Sequence, residues 1–292
     1  MTSRQAACAL ERVHAQHRDF RRRLVAISGR FINTPFRLDA LGEGPGGTVD
    51  RDPLFSLYRV DCQTFVETLV ALAHAPRLDL APRVLSQVRY RDGRVHYKAR
   101  HHFPTSQWIP LNGRLGVVRD VTATIVPGAK LRVLTVKVGP RSWRGKFRKF
   151  ARLGSAAPSG VYQLPVLPLD VAIANAHRFP NGALLNTVRV PHRAYPEPIS
   201  HQGFIAVVNG RRVVRQATQL GKYPRVVEYP LRDYLVRSRA YYRRAPRPML
   251  GVNVQLITES PRLRKLVARE LAKQPAARAC AQRTGSQRVS KQ

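Results

Sequence analysis

Between residues 3 and 32 the apolar positions Ala7, Leu10, Val13, Phe20, Leu24 and Ile27 recur at roughly helical spacing, which predicts one helix or two. Asn33-Thr34-Pro35 ends that pattern, and the stretch from Gly42 to Gly47, with Pro45 inside it, predicts a flexible loop. Helical spacing resumes at Asp61. Phe65, Val66, Leu69, Val70, Leu72 and Ala73 make a stripe broad enough for a buried helix that runs to about Ala75-Pro76. Further on the pattern shortens to alternating or continuously apolar runs at Leu131 to Val138, Gly182 to Val190, Gly203 to Val208, Arg211 to Thr218 and Met249 to Ile257, each of which predicts a strand. Asn209-Gly210 separates two of them and predicts a hairpin closed by a two-residue type I′ turn. Helices first and paired strands later point to an α+β fold.

Composition adds bounds. With 292 residues and 43% hydrophobic content, the chain can bury a sizeable core. No Pro-, Gly- or Ser-rich linker halves it, so one elaborated domain with appendages is expected: a helical segment over 1–32, a main domain over 33–258, and a C-terminal helix with a basic, disordered tail over 259–292. The formal charge of +34 would draw anionic polymers such as nucleic acid, lipid surfaces or wall glycans. Arg is scattered over every segment, so a coding bias competes with a functional basic surface. The run "RSWRGKFRKFAR" from Arg141 to Arg152 interleaves aromatics with cations, as single-strand binders do, yet no recognised nucleic-acid motif accompanies it. Cys8, Cys62 and Cys280 lie far apart with no CxxC spacing, which argues against a zinc site or a disulfide framework, and no cofactor is implied. The first 23 residues contain no apolar signal region, and no stretch approaches the length of a membrane span.

Cys62 falls at the start of the buried helix. A thiol there meets the positive end of the helix dipole and free backbone amides, an environment expected to lower its pKa and favour the nucleophilic thiolate. His201 opens the strand "HQGFIAVV", and the Asn209-Gly210 turn sets its register. Opposed residues then sum to 419, so Gly203 faces Gln216 and His201 faces Thr218. His201 and Gln216 become diagonal neighbours on one face, with no side chain at Gly203 between them. Cysteine, base and orienting amide together are the parts of a thiol hydrolase.

Three strings carry a resemblance: "DCQTFVETLVALAHA" from Asp61, "RYRDGRVHYKARHHF" from Arg89 followed by Trp108-Ile109, and "ISHQGFIAV" from Ile199, joined by "RFINTPF" from Arg30. The chain resembles the N-acetylmuramoyl-L-alanine amidase-like cysteine hydrolases, an NlpC-type branch of the papain-like superfamily. The resemblance implies a papain-like fold with the nucleophile at the N-terminus of a buried helix and the histidine on the antiparallel sheet. It implies Cys62 as nucleophile, His201 as base, and Asp61, Arg100, His102 and Trp108 as substrate contacts. Gln216 stands where the family commonly has His. Muropeptides are then the expected partners and the periplasm or envelope the expected compartment. The bond implied is that between N-acetylmuramic acid and L-alanine; the alternatives are the γ-D-glutamyl bond, a basic nucleic-acid-binding protein, or a wall-binding pseudoenzyme.

Overall fold

The computed structural model describes residues 2–139, 142, 148–192, 196–273 and 280. Most of the basic-aromatic run and, apart from Cys280, the tail beyond Lys273 lie outside these residues.

Each helix expected near the N-terminus has its own start signal. Helix α1 (Ser3–Gln16) begins with a capping box in which Thr2 and Gln5 exchange bonds, and α2 (Phe20–Arg30) begins at Asp19, whose carboxylate accepts from the Arg22 N–H at 2.8 Å. The expected buried helix is α3 (Cys62–His74), in which every residue from Thr64 onward is buried. It is followed by α4 (Ala81–Arg89), α5 (Ile109–Leu115) and α6 (Thr122–Ile125). Helices α7 (Arg148–Ala151), α8 (Leu169–Ala174), α9 (Leu231–Tyr242) and α10 (Pro261–Lys273) complete the set among the described residues.

The five expected strands are present as β2 (Arg132–Val138), β4 (Ala183–Arg189), β5 (Ile199–Val208), β6 (Arg211–Thr218) and β8 (Met249–Ile257). Three more escape the hydrophobic pattern: β1 (Val118–Asp120) is very short, β3 (Gly160–Pro168) holds two prolines, and β7 (Arg225–Pro230) lies at the edge of the sheet. All pairings are antiparallel, in the order β2-β3-β8-β4-β5-β6-β7 with β1 on β8. One face, through Leu184, Phe204, Ala206, Val213 and Ala217, packs against α3, α2 and α1. The other, through Leu185, Ile205, Val214 and Val254, packs against α8 and α9. Leu10 of α1, Leu24 of α2 and Leu263 of α10 share one core cluster with Phe65 and Leu69 of α3, so both terminal segments are built into the main body.

Asn209 and Gly210 both have positive φ, 47° and 75°, as the type I′ turn requires. The β5–β6 register follows the expected sum from Val208↔Arg211 to Phe204↔Arg215 and ends there. Beyond it Gly203 still lies against Gln216, as the expected register implies, a Cβ there falling 3.6 Å from Gln216 Cβ, while on its other side His201 pairs with Thr187 of β4. The cysteine reading needs correction. Cys8 and Cys280, with Cα atoms 5.0 Å apart, form a disulfide that ties residue 280 to α1. A separation of 272 residues hides such a pair from any spacing rule.

His74 joins the end of α3 to the start of α10. Its Nδ1 donates to the Val70 carbonyl at 2.9 Å, and its Nε2 accepts from the Ser260 N–H at 2.9 Å. That pattern needs a neutral ring, and burial lowers its pKa to about 4. The unfolded chain takes up this proton near pH 6.5 while the folded chain refuses it, so the contribution is complete above pH 6.5 and is lost as pH falls towards 4. That span is worth about 3 kcal/mol. Urea unfolding from pH 7 to pH 4 should show this fall, and His74→Gln, which cannot titrate, should flatten it. An unchanged slope in the variant would place the acid sensitivity elsewhere.

Candidate active site

Past the last ladder pair of β5 and β6 the two strands carry His201 and Gln216, a fork in the sheet against which α3 packs. Asp61 caps α3: its Oδ1 accepts from the Thr64 N–H at 2.7 Å, and the Thr64 hydroxyl accepts from the Asp61 N–H at 2.8 Å. Cys62 follows at the first helical position, half-buried, with the backbone N–H groups of Gln202, Gln63 and Cys62 itself near enough to its sulfur to lower the thiol's pKa. Gln202 directly follows His201 on β5. The charge of Asp61 reaches both the sulfur and the imidazole, so the three groups share one locality.

Across the fork, His201 Nε2 is hydrogen-bonded to Gln216 Oε1. Gly203 makes room for this contact. A Cβ there would lie 2.7 Å from Val214 Cγ2 and 3.6 Å from Gln216 Cβ. Because the amide oxygen accepts, Nε2 carries the proton and Nδ1 keeps its lone pair. Thr187, the β4 partner of His201, is bonded to the Tyr234 hydroxyl at 3.1 Å.

The electrostatics reverse one expectation. Burial pushes the Cys62 thiol up to about 12, the Asp61 carboxylate adds to the rise, and the three amides offset only part of it. Burial also lowers the His201 pKa, against the opposing pull of Gln216 and Asp61. The resting pair is therefore a neutral thiol and a neutral imidazole. A helix N-terminus favours a thiolate, but the desolvation that comes with closing the site outweighs it. Iodoacetamide should accordingly label Cys62 slowly at neutral pH, with a rate that rises about tenfold per pH unit from 7 to 10. A rate already level at pH 7 would mean a preformed thiolate.

A cavity of about 770 Å³ adjoins the α3 N-terminus, with Asp61, Gln63 and Thr64 in its wall. Arg100 and His102 line it as well, and both carry structural bonds. Arg100 pairs with Glu43 and, at 2.8 Å, with Asp50, which fastens the Gly-rich loop, while His102 Nε2 bonds the Tyr97 carbonyl at 2.8 Å. Trp108 does not belong to this wall. It is 1% exposed in the core that contains α3, where its large apolar ring fills space, and this corrects its expected role as a substrate contact.

The sequence reading passed over Arg89 and Gln63. The Arg89 guanidinium pairs with Glu67, wholly buried on α3, and donates to the Leu41 carbonyl at 2.6 Å. Gln63 Nε2 donates to Glu67 Oε1 at 3.0 Å and to the His101 carbonyl at 3.1 Å. Burial by itself would push the Asp50 carboxyl up, but Arg100 beside it holds it below its ordinary value. Arg89 and Arg100 lie in the string from Arg89 to Phe103, and the signal was their presence as cations among buried aromatics.

A family model described as N-acetylmuramoyl-L-alanine amidase-like matches residues 26–240. No curated protein matches the chain by sequence. Protein LPG0564 of Legionella pneumophila is similar in structure at a TM-score of 0.73 and 25% identity, over 88% of this chain and 95% of that one. An N-acetylmuramoyl-L-alanine amidase of Bacteroides uniformis is similar at a TM-score of 0.61 and 16% identity, over 82% of this chain and 99% of its own.

Proposed function

The chain belongs to the N-acetylmuramoyl-L-alanine amidase-like family, and from that premise we propose that it cuts the amide between the lactyl group of N-acetylmuramic acid and L-alanine by cysteine chemistry on a papain-like, NlpC-type fold. The observation that carries the chemistry is the His201–Gln216 bond on the two strands against which α3, with Cys62 at its start, packs. With Nε2 committed to Gln216, Nδ1 is the nitrogen left to take the thiol proton. His201 accepts it as the sulfur attacks the lactyl carbonyl, and the neutral resting pair makes this a concerted step. The Cys62 backbone N–H stands at the helix start as a donor for the developing oxyanion. Protonated His201 then delivers the proton to the amine of L-alanine, which leaves, and a water activated by His201 hydrolyses the lactyl thioester. In this reading the substrate reaches Cys62 from the adjoining cavity, whose wall includes Asp61, Gln63, Arg100 and His102 but neither Cys62 nor His201.

The γ-D-glutamyl alternative requires Asp61 to hold a free α-amino group. Its carboxylate is already engaged, Oδ1 by Thr64 and Oδ2 by the Asp39 N–H at 3.1 Å, and the residue is buried. That favours the muramoyl bond. Incubation with a disaccharide tetrapeptide should release an intact peptide that begins with L-alanine and a disaccharide with a free lactyl carboxylate, both identified by mass. Release of an L-Ala-D-Glu dipeptide, or no cleavage at all, would sink the proposal.

A further inference from the structure

The sheet beside the fork carries a row of polar side chains that the acyl-transfer scheme leaves unused. Gln202, Asn186 and Asn253 are register partners across β5, β4 and β8, and none is more than 2% exposed. They are linked head to tail. Gln202 Nε2 donates to Asn186 Oδ1 at 2.9 Å, Asn186 Nδ2 donates to Asn253 Oδ1 at 3.0 Å, and Asn253 Nδ2 donates to Asp120 Oδ2 at 2.7 Å. Gln255 braces the far end, its Nε2 donating to Asn253 Oδ1 at 2.9 Å and to Asp120 Oδ2 at 2.7 Å. Asp120 is exposed, so the row runs from the surface inward and stops at the residue after His201.

Four carboxamides in an interior that could hold Leu or Val are costly to desolvate, and their worth depends on every link being made. The place where the row ends gives it a use. Gln202 lies past the last β5–β6 ladder pair, and its backbone N–H is close enough to the Cys62 sulfur to lower the thiol's pKa. We infer that this row positions the nucleophile: by holding the Gln202 side chain in one place, it fixes the strand backbone that aims the Gln202 N–H at sulfur. The inference rests on Cys62 being the nucleophile, as proposed above. Each amide donates in the same sense towards a carboxylate, and Asn253 is held further by Thr122 at 3.1 Å and the Pro165 carbonyl at 3.0 Å, so loss of Asn186, the link between Asn253 and Gln202, frees the Gln202 side chain and the backbone it anchors. A donor aimed at sulfur favours the thiolate as it forms, so a loosened donor slows attack while the cavity wall is untouched. Gln202 is thus a positioning residue, and Asn186 and Asn253 act through it.

Asn186→Leu breaks the row at its second link, and Gln202→Met removes the first amide with little change in length. Two measurements on each purified variant test the inference: the rate of Cys62 alkylation by iodoacetamide at pH 9, and kcat and KM on a disaccharide tetrapeptide. Alkylation should slow roughly fivefold, and kcat should fall about tenfold with KM within about twofold. A merely structural role predicts the opposite sign, because a loosened fold exposes a buried thiol and speeds its alkylation. Should Asn186→Leu fail to fold by near-UV circular dichroism, Gln202→Met carries the test. Alkylation needs no substrate, so slowed labelling in variants of a protein that cleaves no muropeptide would support the row and sink the amidase reading alone. Parental or faster alkylation in the folded variants would overturn the row.

Discussion

Cys62→Ala and His201→Ala are each expected to lower kcat on a muropeptide by at least about a thousandfold, because each removes a reacting partner from one proton-coupled attack. The two losses should not add. Once the thiol is gone the base has nothing to deprotonate, so the double variant should be about as inactive as either single one. Gln216→Ala should behave differently. It removes the acceptor that holds Nε2–H and leaves the Nδ1 lone pair on a ring free to turn, a fault of alignment expected to cost about 10- to 100-fold in kcat with little change in KM. Gln216→Asn keeps the carbonyl on a shorter arm and should recover part of that loss. Circular dichroism and the thermal midpoint confirm that each variant is folded, and steady-state kinetics give the split. A Cys62→Ala protein that still turns over would remove cysteine chemistry from the reaction.

The parts of this site that local pattern encodes were legible in the chain. The apolar stripe after Asp61 gives the buried helix and puts Cys62 at its first turn, because 3.6-residue periodicity together with a capping residue leaves few other registers. Asn209-Gly210 gives the hairpin and brings His201 towards Gln216 across a gap that only Gly203 leaves open. What the chain hides depends on atoms brought together from a distance. The thiol pKa is set by how far the folded chain desolvates the sulfur, and periodicity says nothing of that. Trp108 looks alike in sequence whether it faces a cavity or a core, since an aromatic ring suits either. The Asn186–Asn253–Asp120 row is invisible for a further reason: isolated Asn and Gln residues in apolar strands read as interruptions until register makes them neighbours. Likewise Glu67, five residues after Cys62 on the apolar helix, reads as a structural ion-pair or hydrogen-bond partner, but Arg89 becomes that partner only when α3 and α4 are packed together.

That pair gives the largest expected effect on stability. Glu67 is completely buried and its carboxylate is balanced by the Arg89 guanidinium, itself almost wholly buried, which also satisfies the Leu41 carbonyl at the entry to the Gly-rich loop. Arg89→Met leaves a carboxylate in the core with one weak donor, Gln63 Nε2, and takes from the Leu41 carbonyl the shorter of its two donors, Arg100 Nη1 remaining at 3.5 Å; about 3 to 5 kcal/mol of stability should be lost. Removing both charges is gentler. In Arg89→Met combined with Glu67→Leu no charge is buried, and most of that stability should return, since an apolar pair of similar volume often serves a core as well as an ion pair does. Activity should not return with it. Glu67 Oε1 holds the Gln63 side chain against the His101 carbonyl, and the Gln63 backbone N–H is one of three near the Cys62 sulfur that lower the thiol's pKa. The double variant should therefore unfold near the parental urea midpoint while kcat stays about tenfold low. Parental activity in the stable double variant would mean that the ion pair serves the core alone, and a double variant no more stable than Arg89→Met would mean that the loss lies in the Leu41 carbonyl and the loop it anchors.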